Sequence, residues 1–398
     1  MTDALRRPLA KAMLALSCVV LCAAYRDEPS DPGATGRPAA VDLFSAWPGD
    51  ESFRIAAEPS LVVGADESLP LGRVSGAVFF GDGIAIADVM SYEVLILDAA
   101  GRLLSRHGRK GEGPGDYMNL ASIARHGDGL VTSDASFLMR ATRLDAHGRY
   151  IGGTKLGPIG AQMSRIVGAF GNSVLLEISE MGWWGNRLPA GPMEVRRPVT
   201  YRIVRLSDGE IVFEGTRPGE EQWALREVND AGNLSSSWEP VIFGRTAVAA
   251  VTNRYAYLAD TDSITITRYD EAGTPVEVVS FEQSRESAEA DWVRFVSDTL
   301  RANEFRSERL LEGLPARATL PAFSDMMGGA DGLLWIREYP NPLQEEVVWV
   351  GFTEAWERKM RITVPVDMAV VDIAEDRVLV QAKGALDEEL VEVYPLVR

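Results

Sequence analysis

A short phrase that occurs twice constrains the fold of this chain more than any other feature. Asp98–Arg102 reads Asp-Ala-Ala-Gly-Arg, and Asp145–Arg149, which starts 47 residues later, reads Asp-Ala-His-Gly-Arg. Upstream of each phrase, a Gly-Asp-Gly turn at Gly81–Gly83 and again at Gly127–Gly129 precedes a short apolar run. Repeats of about 40–50 residues with this composition are typical of arrays of small antiparallel sheets. The repeat therefore predicts an all-β propeller.

The grouping of the apolar runs predicts how many sheets, or blades, this propeller has. Runs rich in Val, Ile, Leu and aromatic residues, separated by turn residues, form six groups between residues 74 and 397. The sixth group is one strand short, and Phe53–Val63 supplies a strand upstream of the first group. An open ring would leave two unpaired edges that favour aggregation. We therefore predict a six-bladed β-propeller with an N-terminal strand closing the last blade. Five and seven blades are the alternatives, but six leaves no strand over.

One stretch of the chain interrupts the β pattern. Large apolar residues recur there at helical spacing, namely Trp292, Phe295, Val296 and Leu300. Gly313 follows this stretch and favours the end of a helix. The pattern predicts a small helical insertion between blades four and five, at about residues 284–314.

The first residues have the pattern of an export signal. Residues 1–24 combine a basic start with an apolar run that is too short to span a bilayer comfortably. Leu14–Cys18 resembles a bacterial lipobox, so Cys18 is a candidate for lipidation. Cys22 and a soluble-export cleavage site are the alternatives. We expect an exported protein, either periplasmic or anchored as a lipoprotein in a bacterial cell envelope.

The domain organisation follows from this leader and from the composition behind it. Residues 1–24 are predicted to be a signal peptide, with the lipoprotein type as one option, and residues 25–50, rich in Asp, Pro, Gly and Ala, a flexible linker. Residues 51–398 form the propeller. The two cysteines of the chain both lie in the leader, so the fold depends on apolar burial rather than on disulfides.

The charge of the chain restricts its partners. The formal net charge is −18, and such a surface repels phosphate backbones, so nucleic acid is not expected as a partner. The acidic surface serves solubility, or it attracts a basic partner or a divalent cation. Contact with a membrane is expected through the lipid anchor alone, and the propeller is expected to be a monomer.

The lengths of the connections distinguish two faces of the predicted propeller. The turns between first and second strands, and between third and fourth strands, are short. The long connections all lie on the other face, at residues 109–119, 155–162, 181–199, 216–240 and 283–321. Long loops on a rigid scaffold commonly carry binding residues. We therefore predict a binding module whose long-loop face holds a protein, peptide or glycan, and an enzyme is the alternative.

Several residues on this face are candidates for contact with that ligand. They are Arg109, Lys110, Glu112, Asp116 and Tyr117 in a glycine-rich loop, the adjacent Trp183 and Trp184, and Trp223. Each candidate also has a structural interpretation. The glycine-rich loop would steer the chain from one blade to the next, and the tryptophans would pack on the rim.

Catalytic or metal sites receive little support from the sequence. The three histidines lie at turns or on an outer strand, which disfavours a zinc centre or a Ser-His-Asp triad, and no catalytic residue is predicted. Asp88, Asp134 and Asp260 end equivalent strands, where they would bind turn amides or serve as oxygen ligands for calcium. No cofactor is predicted, with calcium as the alternative. The alternative function is a calcium-assisted hydrolase or lactonase with its site at the channel mouth.

The repeated phrase, together with Gly108–Tyr117, resembles bacterial six-bladed β-propeller proteins related to NHL repeats, many of which are lipoproteins by prediction. The resemblance is best over Leu71–Gly153. It implies a propeller and export. Relatives of the NHL type include scaffolds and some lyases or lactonases, and the channel histidines of the lyases have no counterpart here.

Overall fold

The protein has an all-β, propeller-type fold in the computed structural model. The structure describes residues 43–45, 47, 49–65, 68–135, 138–157, 162–180, 190–228, 234–281, 286–302 and 308–398. Within these ranges the chain forms curled antiparallel sheets and two helices. The predicted fold class is therefore confirmed at the level of an all-β chain of propeller type.

Most sheets are meanders, in which each strand pairs with the next along the chain. Two short strands, β1 (Glu51–Ile55) and β2 (Leu61–Val63), come first. Sheet I contains β3 (Val74–Phe80), β4 (Gly83–Asp88), β5 (Glu93–Leu97) and β6 (Leu103–His107). Sheet II contains β7 (Leu120–His126), β8 (Gly129–Asp134), β9 (Arg140–Leu144) and β10 (Tyr150–Lys155).

Sheets III and IV continue the series with the same antiparallel order. Sheet III contains β11 (Gln162–Phe170), β12 (Ser173–Glu180), β13 (Gly191–Arg205), β14 (Ile211–Val228) and β15 (Leu234–Pro240). Sheet IV contains β16 (Ala247–Val251), β17 (Ala256–Asp260), β18 (Ile264–Tyr269) and β19 (Pro275–Phe281). The helices α1 (Ala290–Arg301) and α2 (Glu308–Leu311) follow, at the place predicted for the insertion.

The last sheet, sheet V, has nine strands because the N-terminal strands join it. Its own strands are β20 (Asp325–Gly328), β21 (Leu334–Arg337), β22 (Glu346–Phe352), β23 (Arg358–Pro365), β24 (Ala369–Ile373), β25 (Arg377–Lys383) and β26 (Glu389–Val397). Strand β1 pairs in parallel with β23 and antiparallel with β26, and β2 pairs antiparallel with β26. The N-terminal segment thus pairs with the last strand, but as two short strands rather than one. Pro59 lies between them, and proline lacks the N–H that a continuous ladder requires.

Apolar side chains fill the spaces between neighbouring sheets. One buried pair represents each of six clusters: Val78 and Leu120, Val131 and Leu176, Leu175 and Leu258, and Ile266 and Ile336 between successive sheets, Trp335 and Val378 between the two halves of sheet V, and Leu379 and Ile86. The last pair joins sheet V to sheet I. We call β3, β7, β11, β16, β20 and, in the second half of sheet V, β24 the first strands. Each contacts the next in that order, and β24 contacts β3, so the series closes on itself.

The repeated phrase of the sequence forms the turns between third and fourth strands. In one copy, Asp98 accepts hydrogen bonds from the backbone N–H groups of Ala100 (3.0 Å) and Arg102 (2.9 Å). Asp145 does the same in the second copy. A glycine with φ of 75° completes each turn, a conformation that other residues adopt at a cost. Hydrogen bonding from the Arg149 side chain lowers the pKa of Asp145 to about 2.

The described chain packs against the sheets before residue 51, where the linker was predicted to end. Leu43 is fully buried in the cluster between sheets IV and V. Arg358, on β23, donates a hydrogen bond to the Leu43 carbonyl (2.7 Å) and forms a buried ion pair with Asp50 (2.6 Å). The guanidinium also lies 4.7 Å from the centre of the Trp47 ring. Within the described residues, packing against the sheets is therefore already present at Leu43.

The described parts of two segments predicted as long loops are largely strand. β13 begins at Gly191, inside the segment 181–199, and β14 with β15 occupies most of 216–240. Pro218 and Gly219 lie inside the segment 216–240 and yet belong to β14. Pro198 and Pro218 face each other at a register shift, where the ladder does not need their missing N–H groups. No helix among the described residues combines the length and apolar character needed to cross a membrane.

Pairing of β2 with β26 makes a prediction about stability. Val63 is 4% exposed and packs with Leu71 and Val391, whereas its neighbour Val62 is 40% exposed. Val63→Asp would bury a carboxylate without a partner, so we expect the free energy of unfolding to fall by at least about 2 kcal/mol. Val62→Asp is the control and is expected to change it little. Equal denaturation midpoints for the two variants would contradict the role of β2.

Candidate functional site

One face of the molecule is built up and the other is not. The long-loop face is the one that carries the connections between sheets and between second and third strands. On it, β13 and β14 run beyond the other strands of sheet III and pair with β15, forming an extension of that sheet. Helix α2 contacts β14 and β15. The opposite face carries turns such as Asp98–Arg102 and Asp145–Arg149. The predicted asymmetry is present, although strands rather than loops produce much of it.

Ion pairs fasten this extension to the helical insertion. Arg317, which follows α2, pairs with Glu221 on β14 (2.8 Å) and also with Glu194 on β13. These hydrogen bonds raise the pKa of the Arg317 guanidinium. Arg245 is buried and donates to the Thr319 side chain (2.8 Å), while its backbone N–H donates to Glu221 (3.0 Å). The extension and the insertion therefore form one fixed wall.

The glycine-rich loop between sheets I and II is held in one conformation by its own hydrogen bonds. The backbone N–H of Tyr117 donates to the carbonyl of Arg109 (2.9 Å), and the Arg109 side chain pairs with Asp116 (3.1 Å). Arg140, on β9, reaches the backbone carbonyls of Asp116 and Glu112. The loop thus has the structural role of a corner. Lys110 is exposed on it, and Arg109 and Glu112 lie at its surface.

Tyr117 differs from the other candidates in this loop. It is fully buried, and its hydroxyl lies 2.9 Å from the hydroxyl of Thr132 on β8. Burial raises its pKa to about 12. Tyr117 therefore belongs to the core between sheets I and II, and Asp116 is half-buried beside it.

Of the three candidate tryptophans, the structure describes only Trp223. Trp183, Trp184 and the lipidation candidate Cys18 lie outside the described residues. Trp223 lies on β14 between Glu194 of β13 and Glu239 of β15, and it is half-buried. Its indole N–H is buried and has no hydrogen-bond partner in the described ranges. Trp223 is thus a component of the wall.

The first strands of the sheets line a cavity of about 310 Å³, which we call the channel. Its lining consists of Ser75–Val78, Ala121–Arg125, Arg165–Ala169, Ala249–Asn253, Asp325–Gly329, Val370–Asp372 and Gln381. Four of the first strands, namely β3, β7, β11 and β24, carry a β-bulge against the next strand along the chain. The extra residues are Ser75, Ala121, Val167 and Val371, and all four line the channel. Bulges redirect side chains in this way.

Charged residues lie where the first strands begin, on the long-loop face. Arg165, on β11, binds the carboxylate of Glu177 on β12 with two hydrogen bonds (3.2 and 3.0 Å). Asp325 is the first residue of β20, and it interacts electrostatically with Arg165 and Arg337. Burial raises the pKa of Asp325. Neither Arg165 nor Asp325 was a sequence candidate, although each is a charge placed just before a short apolar run.

A second group of charges lies near the other end of the channel. Asp372, on β24, pairs with Arg125 on β7 and accepts a hydrogen bond from the backbone N–H of Phe79 on β3 (2.8 Å). Arg125 also donates to the carbonyl of Gly328 on β20 (3.3 Å). Burial raises the pKa of Asp372. This ion pair links strands from three sheets, including the first and the last.

The aspartates Asp88, Asp134 and Asp260 accept hydrogen bonds from backbone amides, as their structural interpretation predicts. Asp88 accepts hydrogen bonds from the backbone of Gly72, Arg73 and Met90, and Asp134 accepts one from Met118. Asp260 accepts one from Asp262 and pairs with Arg196. Among the residues that the structure describes, no three His, Cys, Asp or Glu side chains are grouped so that they could hold a metal ion. His126, predicted at or beside a turn, is the last residue of β7 and precedes the turn at Gly127.

No protein-family model and no curated protein matches the chain. Similar solved structures include a DUF4221-family protein from Bacteroides vulgatus, at 8% identity and a TM-score of 0.44, covering 88% of this chain and 99% of that one. A candidate exported protein from Bacteroides fragilis has 10% identity and a TM-score of 0.42, covering 87% and 99%. Regucalcin, a calcium-binding protein from Agrobacterium tumefaciens, has 11% identity and a TM-score of 0.38, covering 87% and 96%.

Asp331 near the channel makes a prediction about pH. Its carboxylate accepts hydrogen bonds from the Leu333 backbone (2.9 Å) and the Trp335 indole (3.2 Å), and burial raises its pKa from 3.8 to about 6. The folded state holds this proton more tightly than the unfolded state. Stability therefore falls as the pH rises from about 4 to 6. Asp331→Asn is expected to reduce the fall in Tm over this range by roughly 2–5 °C.

Asp82→Asn is the matched control for this experiment. Asp82 occupies the corresponding turn of sheet I but is exposed. Asp325 and Asp372 also have raised pKa values, so Asp331→Asn removes only one part of the pH dependence. Thermal melts of Asp331→Asn that follow the same pH slope as those of Asp82→Asn would show that the Asp331 pKa is not raised.

Proposed function

We propose that this protein is an exported binding module whose long-loop face holds a protein, peptide or glycan ligand. The observation that carries the proposal is the asymmetry between the two faces. One face ends in short turns held by aspartate side chains, whereas the other carries the β13–β15 extension and the helical insertion. A scaffold that is elaborated on one side only presents that side to a partner.

The fixed geometry of this face favours binding by a preformed surface. Arg317 connects two strands of the extension to the insertion, and Arg140 holds the loop that presents Arg109, Lys110 and Glu112. Side chains on a rigid frame lose less conformational freedom when a ligand binds. We include Arg109, Lys110, Glu112 and Asp116 in the proposed surface, together with Trp183 and Trp184. Tyr117 and Trp223 are assigned to the scaffold.

We further propose that the scaffold is a six-bladed β-propeller of the NHL-related type. Two features support this count: six first strands follow one another in a closed series, and six apolar clusters lie between successive groups of strands. Sheet V would then contain two blades, with β1 joining their outer strands.

Site-specific photo-cross-linking tests the proposed surface. A photoreactive residue at Lys110 or Glu112 is expected to give one common adduct in cells of the source organism. The same residue at Ala100 or Ala146, which are exposed in the turns of the opposite face, is expected to give none. Adducts from the Ala100 and Ala146 positions alone, or from no position, would contradict the proposed role of the long-loop face.

The export signal and its lipid anchor make a separate prediction. We propose that Cys18 is lipidated, and that the protein is held at a membrane of the cell envelope. Cys18→Ser is expected to abolish metabolic labelling with a radioactive fatty acid and to move the protein from the membrane fraction to the soluble fraction. Cys22→Ser is the control and is expected to retain both properties. Labelling lost in Cys22→Ser but kept in Cys18→Ser would place the anchor at the other cysteine.

A further inference from the structure

The channel contains a guanidinium with unused hydrogen-bonding capacity. Arg165 binds Glu177 through Nε and Nη2, and in the described part of the chain Nη1 has no hydrogen-bond partner. The side chain is 59% exposed although it lies among the residues that line the channel. Because Glu177 holds the Nε and Nη2 edge of the planar guanidinium, the N–H groups of Nη1 point in a fixed direction.

A carboxylate with unused capacity lies near this guanidinium. One oxygen of Asp325 accepts a hydrogen bond from the Met326 backbone (2.8 Å), and no described residue donates to the other. Arg337 interacts electrostatically with Asp325, but its own hydrogen bonds go to Ser324 (3.3 Å) and to the Val366 carbonyl (3.0 Å). Asp325 is accessible to solvent although protein surrounds it on most sides, as expected for a side chain that faces a channel.

These groups have separated charges that sum to zero. Arg165 and Arg337 are positive, and Glu177 and Asp325 are negative. Tyr201 stands beside Glu177 on the neighbouring strand β13. It is fully buried, and its hydroxyl has no hydrogen-bond partner among the described residues. A ligand with a net charge would leave this neutral group unbalanced, whereas a neutral ligand with two opposite charges would match it.

The rest of the channel favours a small ligand. Its lining beyond the charged groups is mainly glycine, alanine and valine, including Gly76, Ala77, Ala121, Gly168 and Ala249. In the described part of the chain no aromatic side chain lines it, so it offers no platform for stacking a sugar ring. The volume of about 310 Å³ is at the lower end of the range for ligand pockets, about 300–1,000 Å³.

We propose that the channel is a binding site for a free α-amino acid, in addition to the macromolecular surface on the long-loop face. The carboxylate of the ligand would accept hydrogen bonds from the free donors of Arg165, and its ammonium group would donate to Asp325. Its side chain would extend among the alanine and glycine residues of the channel. A simple carboxylate or a simple amine would pair with one of the two protein groups and make no contact with the other, so it would gain only part of the interaction.

Calorimetric titration of the full protein with glycine, L-alanine, L-serine and L-valine tests this assignment. We expect at least one of them to bind and to raise the Tm. Propionate and ethylamine, each of which has one of the two charged groups of alanine, are expected not to bind at the same concentrations. Arg165→Gln and Asp325→Asn are expected to weaken binding by at least about tenfold.

Arg106→Gln is the matched control variant. Arg106 forms a similar cross-strand pair with Glu93 on sheet I (2.8 Å), but it lies on the fourth strand, away from the channel. The Arg106→Gln protein is expected to bind the amino acid as tightly as the wild-type protein does. Circular dichroism and the Tm without ligand show whether each variant is folded, and the nearly isosteric Asp325→Asn keeps the test valid if Arg165→Gln is unfolded.

Three results would overturn the inference. They are no binding of any of the four amino acids by the wild-type protein, equal binding of propionate or ethylamine, and undiminished binding by folded Asp325→Asn. The photo-cross-linking experiment on the long-loop face is independent of these results, since it uses positions on the surface loop. A protein that forms the cross-linked adduct but binds no amino acid would refute the inference and leave the proposed function standing.

Discussion

The constraint on which the rest of the structure depends is that each sheet has two apolar faces. The second strands β4 and β8 are buried along their whole length, because a neighbouring sheet covers each side. A sheet of this kind cannot stand at the end of a stack without exposing one face to water. The stable solution is a closed series, in which the last sheet covers the free face of the first. The apolar cluster that contains Leu379 and Ile86 provides this cover.

Closure of the series also determines which charged side chains lie around the channel, where a ligand could contact them. The strands that meet around the channel are short and carry small residues, so the few charged side chains among them stand out. Arg125 and Asp372 satisfy each other and bind backbone groups of neighbouring strands, which is a structural role. Arg165 and Asp325, in contrast, each have hydrogen-bonding atoms that no described residue binds. The long-loop face is different: its charges, such as Arg317 with its two glutamate partners, hold large elements in place.

The repeated phrase allowed the scaffold to be predicted because its chemistry is local. Asp98 and Asp145 bind amides within four residues of themselves, so their sequence alone determines the turn. Arg165 and Asp325 could not be predicted as neighbours, because 160 residues separate them and only the closed series of strands brings them together. The extension of β13 and β14 was missed for a related reason. Pro218 is tolerated in a strand there because a second proline faces it across a register shift, and that pairing is not visible in the sequence.

The pairing of β2 with β26 has a consequence for the order of folding. The partners in this pair, Leu61 and Val393, lie near opposite ends of the described chain, and their contact closes a loop of more than 300 residues. Sheets I to IV consist of strands that are neighbours in sequence, and such local contacts form quickly. The closed series, in contrast, requires residues 389–397, which are synthesised last among the strands. Until those residues pair with β2, the apolar side chains of sheet I that pack against Leu379 and Val391 lack their cover.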